Sequence, residues 1–244
     1  MSYQAWYEIK SNKELCPNVF EMKLEGDTSS VKKSGQFINI KLDGLYLRRP
    51  ISICSYGENT MTIIYKVVGK GTTQMSQMKP GEKLDCLVGL GNGFSIGDEK
   101  SSVVIGGGVG VPPMYQLAKE LLASGKKVTA VLGFNTKSEI FYEEEFKALG
   151  IDVVVTTVDG SYGTKGFVTD ALKDIEYEYY YTCGPEPMLK AIYNYGGKGQ
   201  LSFEERMGCG FGACMGCSCK TITGYKRICK EGPVMKKEEI LWED

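Results

Sequence analysis

Between Met207 and Cys229 the chain reads Met-Gly-Cys-Gly-Phe-Gly-Ala-Cys-Met-Gly-Cys-Ser-Cys, then nine further residues, then Cys. Five of its nine cysteines fall in this stretch, so the segment must fold around them. Cys209, Cys214 and Cys217 stand in the spacing Cys-x4-Cys-x2-Cys with further cysteines downstream, the plant-type pattern for a 2Fe-2S cluster. Thiolates converging on a small inorganic core need a tightly curled loop. Gly208, Gly210, Gly212 and Gly216 permit that curl and let backbone N–H groups approach the sulfurs. Cys219 and Cys229 both lie where a fourth ligand could come from. Cys219 is two residues from Cys217, so on a strand the two would face one way and crowd one iron, which selects Cys229. A zinc ribbon favours two Cys-x2-4-Cys knuckles, and only Cys214/Cys217 and a strained Cys217/Cys219 pair offer them. Disulfides fit less well, because the cysteine count is odd and the first residues lack a charged region followed by an apolar one.

The charge balance excludes other classes of function. With 29 basic against 30 acidic residues and no long basic run, nothing recruits a nucleic-acid backbone. No apolar run reaches the roughly 18 residues that a membrane span requires. The expected location is the cytoplasm, whose reducing conditions suit free thiols. Histidine is absent altogether. That removes Rieske ligation, histidine zinc sites, the Ser-His-Asp triad and imidazole acid–base catalysis at neutral pH, leaving electron or hydride transfer as the natural chemistry.

Three stretches differ in pattern. Residues 1–99 carry period-two runs at 19–24, 36–42, 51–55, 61–68 and 83–88, separated by turn residues, which predicts a small antiparallel barrel or sandwich. Residues 100–198 alternate strand-like runs at 102–105, 127–132, 151–157 and 179–182 with helical spacing at 114–123, 142–149, 167–172 and 188–195, which predicts a parallel α/β sheet. Residues 199–244 carry the cysteine loop, with Gly196, Gly197 and Gly199 as the expected hinge.

Within these stretches, Gly106-Gly-Gly-Val-Gly110 lies between a strand and a helix. In outline it is a phosphate cradle, although it departs from G-x-G-x-x-G, and packing alone could also require such a turn. Cys183-Gly184-Pro185 is a second strand-to-helix turn, at the carboxyl edge where open parallel sheets bind ligands. Arg48-Arg49 opens a strand and can bind phosphate bidentately, or can simply be solvated. Gly69-Lys-Gly71-Thr72 precedes a helical turn with Thr72 as the expected cap.

These strings, in this order, resemble the ferredoxin-NADP reductase superfamily along most of the chain. Leu-Arg-Arg-Pro-Ile-Ser-Ile, Gly-Lys-Gly-Thr and Glu-Glu-Arg-Met-Gly-Cys-Gly-x-Gly-Ala-Cys-x-Gly-Cys look like the electron-transfer subunits of class 1B dihydroorotate dehydrogenases. The resemblance implies a six-stranded flavin-binding barrel, a parallel-sheet nucleotide domain and a C-terminal 2Fe-2S module. It implies that Arg49, Pro50, Ile51 and Ser52 contact FAD, with Arg49 on the pyrophosphate and Ser52 near the isoalloxazine. Ile64, Tyr65 and Lys66 would line the flavin, while Gly71 and Thr72 would hold its phosphates. The superfamily's usual tyrosine two positions after the arginine is Ile51 here, so Tyr65 becomes the candidate for aromatic stacking. Gly106, Gly107, Gly108 and Gly110 would accept the NAD pyrophosphate, with Cys183, Gly184 and Pro185 beside the nicotinamide. Cys209, Cys214, Cys217 and Cys229 would ligate the cluster. The absence of arginine from residues 133–136 favours NAD over NADP.

The implied partner is an FMN-containing dihydroorotate dehydrogenase catalytic subunit, in a heterotetramer of two copies each. Electrons would pass from that FMN through the cluster and FAD to NAD+, in pyrimidine biosynthesis. Phe211 and Met215 are the apolar residues expected near the partner. The rival readings are a reductase subunit serving a hydrogenase, a transhydrogenase or an oxygenase, and a zinc-bearing scaffold without redox function.

Overall fold

The computed structural model describes residues 3–242. Met1, Ser2, Glu243 and Asp244, the outermost residues of the expected first and third stretches, lie outside the described residues. The period-two runs become strands β1 (Tyr3–Cys16), β2 (Val19–Glu25), β3 (Phe37–Ile40), β4 (Arg49–Gly57), β5 (Thr60–Lys66) and β6 (Lys83–Leu90). They close a barrel in the order β1-β2-β5-β4-β3-β6 with every pairing antiparallel. Helix α1 (Lys70–Gln77) connects β5 to β6. Alternation fills the interior with Met22, Leu24, Ile38, Ile40, Ile53, Met61 and Ile63, joined by Tyr7 and Ile9 of β1. β1 is the strand with the least sequence warning, because residues 10–14 are all polar. Its first half pairs with β6, and its second half pairs with β2 across bulges.

The second stretch builds β7 (Ser101–Gly107), α2 (Val111–Ala123), β8 (Lys127–Phe134), α3 (Glu143–Lys147), β9 (Asp152–Thr157), β10 (Thr164–Lys165), α4 (Val168–Ala171), β11 (Tyr179–Cys183) and α5 (Glu186–Tyr195). β12 (Gly199–Ser202), the hairpin β13 (Ser218–Thr221) and β14 (Gly224–Arg227), and β15 (Val234–Lys236) follow. The sheet order is β10-β9-β8-β7-β11-β12-β15, parallel throughout except for β15. Side chains of α2 and α3 pack on one face, and those of α4 and α5 on the other. The path runs outward in one direction from β7 and in the opposite direction from β11. A topological switch point therefore falls between these two strands, where such sheets bind nucleotides.

Barrel and sheet are fastened by hydrogen bonds as well as packing. The Tyr56 hydroxyl and the Ser34 hydroxyl donate to Glu120 on α2 at 3.0 and 2.8 Å, and the Tyr142 hydroxyl donates to Glu21 on β2 at 2.7 Å. The expected hinge is a turn at Gly196 and Gly197 alone, since Gly199 already opens β12. The cysteine segment thus begins and ends as strands of the nucleotide sheet, because β12 and β15 pair with each other and β12 with β11. Asn92, just after the barrel, ties down the return. Its side-chain amide donates to the carbonyls of Glu231 and Val234 at 2.9 and 2.7 Å and accepts the Val234 N–H at 3.1 Å.

Replacing Asn92 with alanine strands three backbone groups of the tail. The expected cost is about 2 kcal/mol, read as a lower denaturant midpoint for the holoprotein.

Candidate functional site

On β4, Arg49, Pro50, Ile51 and Ser52 are all half-buried, with Pro50 and Ser52 on the outer face beside Asn39 and Phe37 and Ile51 against the barrel core. The two arginines have different surroundings. Arg48 donates to the Asp85 carboxylate at 3.0 Å and to the carbonyls of Asp85 and Asn39 at 2.9 and 3.3 Å, so it serves the barrel. Arg49 lies across Gly71 so closely that a Cβ at that position would overlap its guanidinium. The side chain from β4 and the first turn of α1 therefore meet. Thr72 is not the cap that its sequence position suggests. Helix α1 starts at Lys70, and the Thr72 hydroxyl turns back to accept the N–H groups of Val68 and Gly69 at 2.9 and 3.2 Å. Its intrahelical hydrogen bonds begin with Thr73 N–H to the Gly69 carbonyl at 2.9 Å, and the N–H groups ahead of that have no partner inside the helix. A guanidinium beside such a turn suits a pyrophosphate.

On β5, Ile64 faces the nucleotide unit and Lys66 is exposed, but Tyr65 points the other way. Its ring lies in the barrel interior, stacked on Phe20 with centroids 5.9 Å apart, and its hydroxyl donates to Asn12 at 2.9 Å. The aromatic stacking expected of Tyr65 is therefore corrected: strand alternation turns its ring away from the face that carries Ile64.

At the switch point Gly106 is paired in register with Cys183, which brings the two turns together. Gly110 sits where a side chain would overlap the Cys183 carbonyl and approach Gly184 Cα to 2.6 Å, so packing demands glycine there. Gly108, at φ 51°, has no heavy atom within 4 Å of where a Cβ would lie and leaves the turn open to an anion. Packing and cradling are thus divided among the glycines. α2 contributes less than a typical helix start, since Pro112 and Pro113 in its first turn have no N–H to offer. At the end of β8, Asn135 donates to Glu139 at 2.9 Å, and the Lys137 ammonium lies 5.7 Å over the Tyr162 ring, an aromatic engagement that leaves no arginine-like fork for a 2′-phosphate.

Two residues near Cys183 escaped sequence reading. Burial pushes the Cys183 thiol up to about 12, Ser202 hydrogen-bonds it, and the Glu204 carboxylate bears on it. The register Cys183↔Ser202 creates this arrangement, and only knowledge that β12 joins β11 reveals it. Gly184, Pro185, Glu204, Glu205 and Cys219 line one cavity of about 450 Å³ that reaches Trp242.

The tail thiols fall into two pairs. Cys209 accepts the N–H groups of Ala213 and Cys214 at 3.2 and 3.4 Å, and the Cys214 thiol is hydrogen-bonded to it. Burial opposes ionisation of Cys209, yet the N–H groups of Cys214, Phe211 and Ala213 and the Cys214 thiol together hold it down at about 6. Cys217 accepts the Cys229 N–H at 3.4 Å, and its side chain is hydrogen-bonded to the Cys229 thiol, which burial pushes up to about 12. Cys209 also bears electrostatically on Cys229, so the pairs are neighbours. Among the described residues no three His, Cys, Asp or Glu side chains gather as one ion would require. Two pairs of thiols suit two irons with two ligands each better than a single tetrahedral zinc. Cys219 lies on the β13–β14 hairpin opposite Lys226, its thiol raised by burial, by Glu205 and by Cys217. Gly210 and Gly212 supply φ of 79° and 92° to the loop, and Met215 takes φ 60°. All nine cysteines are free.

Residues 204–241 match the family described as the iron-sulfur cluster binding domain of dihydroorotate dehydrogenase B, and residues 104–194 match the oxidoreductase NAD-binding domain. The chain is 44% identical, over 95% of its length and 96% of the relative's, to the electron transfer subunit of dihydroorotate dehydrogenase B (NAD(+)) from Fusobacterium nucleatum. It is 42% identical to the protein of that name from a Geobacillus species, over 99% of this chain and 100% of the relative. Among solved structures, an NADH-dependent reduced ferredoxin-NADP oxidoreductase is 31% identical with a TM-score of 0.89, covering 97% of this chain and 90% of that one. A Neisseria gonorrhoeae ferredoxin NADP+ reductase with bound FAD and NADP shares the fold, with a TM-score of 0.69 at 18% identity, over 79% of this chain and 89% of that one.

Cys229→Ser should lose iron from the purified protein while Cys219→Ser retains it, measured as iron and acid-labile sulfide per chain. Arg49→Leu should release FAD while leaving the unfolding midpoint of the FAD-free protein unchanged. Arg48→Leu should lower the midpoint, because Asp85 is left buried without its cation.

Proposed function

Because the chain belongs to the dihydroorotate dehydrogenase B electron transfer subunits, we propose that it links an FMN-containing catalytic partner to NAD+ in pyrimidine biosynthesis. In this reading Cys209, Cys214, Cys217 and Cys229 hold a 2Fe-2S cluster. Arg49 to Ser52, the backbone of Ile64 to Lys66, Gly71 and Thr72 hold FAD on the barrel, and Gly106 to Gly110 with Cys183 to Pro185 hold NAD. The three stretches 1–99, 100–198 and 199–244 then carry one redox group each. A flavin exchanges one or two electrons, so FAD beside a one-electron cluster supplies the conversion that a nicotinamide requires.

The observation that carries the reading is the neighbourhood of the paired thiols. The side-chain amide of Asn39 on β3 donates to the Cys209 carbonyl at 3.4 Å, and Asn39 is paired in register with Pro50 on the flavin strand. The loop that carries the thiols therefore lies against the strand next to the one assigned to FAD. The remaining residues divide the work. Arg49 and the first turn of α1 neutralise a pyrophosphate, Gly108 opens the nucleotide turn, and Cys183 stays a neutral thiol beside the hydride site. No histidine is present to deprotonate a substrate, which accords with a separate catalytic subunit. The assembly implied is a heterotetramer of two copies of each subunit.

Among the described residues no helix is long and apolar enough to cross a membrane. Nine free thiols suit the reducing cytoplasm. The similarity over nearly the whole chain to the ferredoxin-NADP oxidoreductase favours a second reading, a reductase subunit of another redox complex. Co-purification followed by assay decides between them: orotate formation coupled to NADH production supports the first, and an NADH reductase activity indifferent to dihydroorotate supports the second.

Phe211 is 47% exposed, and Met215 is 53% exposed at a left-handed φ that costs a non-glycine residue about 1 kcal/mol. Apolar side chains kept at the outside of the loop suit a docked partner. Phe211→Asp should abolish co-purification of the catalytic subunit while FAD and iron remain bound. Unaltered association would remove the docking role.

A further inference from the structure

Asn39 is a polar residue that the barrel has little reason to bury. It is 1% exposed, on the outer face of β3 beside Phe37, while Ile38 and Ile40 point into the barrel. Its side-chain amide N–H donates to the carbonyl of Cys209 at 3.4 Å, and its Oδ1 has no partner among the described residues. Across the ladder it is paired with Pro50 of the flavin strand, and its backbone carbonyl accepts from Arg48, which Asp85 holds in place. From the loop side, Gly210 takes φ 79° directly over the amide, and any Cβ there would overlap Asn39 Nδ2. A buried acceptor without a partner carries its full desolvation penalty. Leucine has the same branching and would fill the place beside Phe37 without that penalty, so packing does not explain the amide.

We infer that Asn39 is a positioning residue through which the barrel seats the cysteine loop and sets how readily the cluster accepts an electron. The inference rests on the reading of the four cysteines as cluster ligands. The amide presents the positive end of its dipole to the backbone of Cys209. Hydrogen bonds and dipoles beside an iron–sulfur centre are among the levers that set its potential, and a donor at this place favours the reduced form. Because Asn39 and Pro50 face each other on adjacent strands, the same side chain fixes the loop's register against the flavin strand.

The test is a potentiometric titration of the reduced cluster's paramagnetic signal in the holoprotein, with iron and FAD content measured in parallel. Asn39→Leu keeps the shape and removes the donor, and its midpoint should move to a more negative potential. Asn39→Asp, measured where the carboxylate is ionised, should move it further in the same direction. Loss of iron from both variants with FAD retained also supports the seating role. Full iron content and an unmoved midpoint in both variants would overturn the inference. Wild-type protein without iron and sulfide would instead overturn the cluster reading on which it stands.

Discussion

The geometry of this chain depends on its last strands being sewn into a sheet that began a hundred residues earlier. β12 extends the parallel order beside β11, β15 closes back on β12, and Asn92 grips that return from the segment leaving the barrel. A cysteine loop tethered by a flexible linker would sample many distances from the flavin strand. Here both of its ends are hydrogen-bonded into a rigid layer, and its middle is held by Asn39 of β3. Electron transfer is sensitive to separation, so the pairing of three short strands matters as much as the cysteines themselves.

Much of this could be read in advance, and the limits have physical causes. The inward residues of β2, β3 and β5 announce themselves by alternation, and the strand–helix repeats of the second stretch by their change of period. β1 does not announce itself, because its polar second half is held by pairing and bulges rather than by its own pattern. The cysteine spacing points to the loop, and the placement of Cys219 on the β13–β14 hairpin is set by a strand pairing that the spacing does not show. Tyr65 shows the limit at the flavin face: a strand position one residue away from Ile64 places a ring on the opposite side of the wall. Ser202, Glu204 and Asn39 were invisible because each matters through a neighbour more than a dozen residues away in sequence. No local pattern encodes such pairs.

The site divides its electrostatics in a way that a motif alone conceals. Of two adjacent arginines, one neutralises a buried carboxylate and the other lies over a glycine at a helix start. The nucleotide turn compensates for two prolines at the head of α2 with an open glycine backbone. Within the tail, Cys209 accepts the N–H groups of Ala213 and Cys214, while Cys217 accepts that of Cys229.

The large sheet finishes in β10 on one side and β15 on the other, strands of two and three residues. Borders so short give a foreign strand almost no ladder to join. The borders of this sheet therefore favour association through the shapes and charges of side chains over annexation of a strand. Such a complex can come apart and re-form while the hydrogen-bonded layers inside each protomer stay whole.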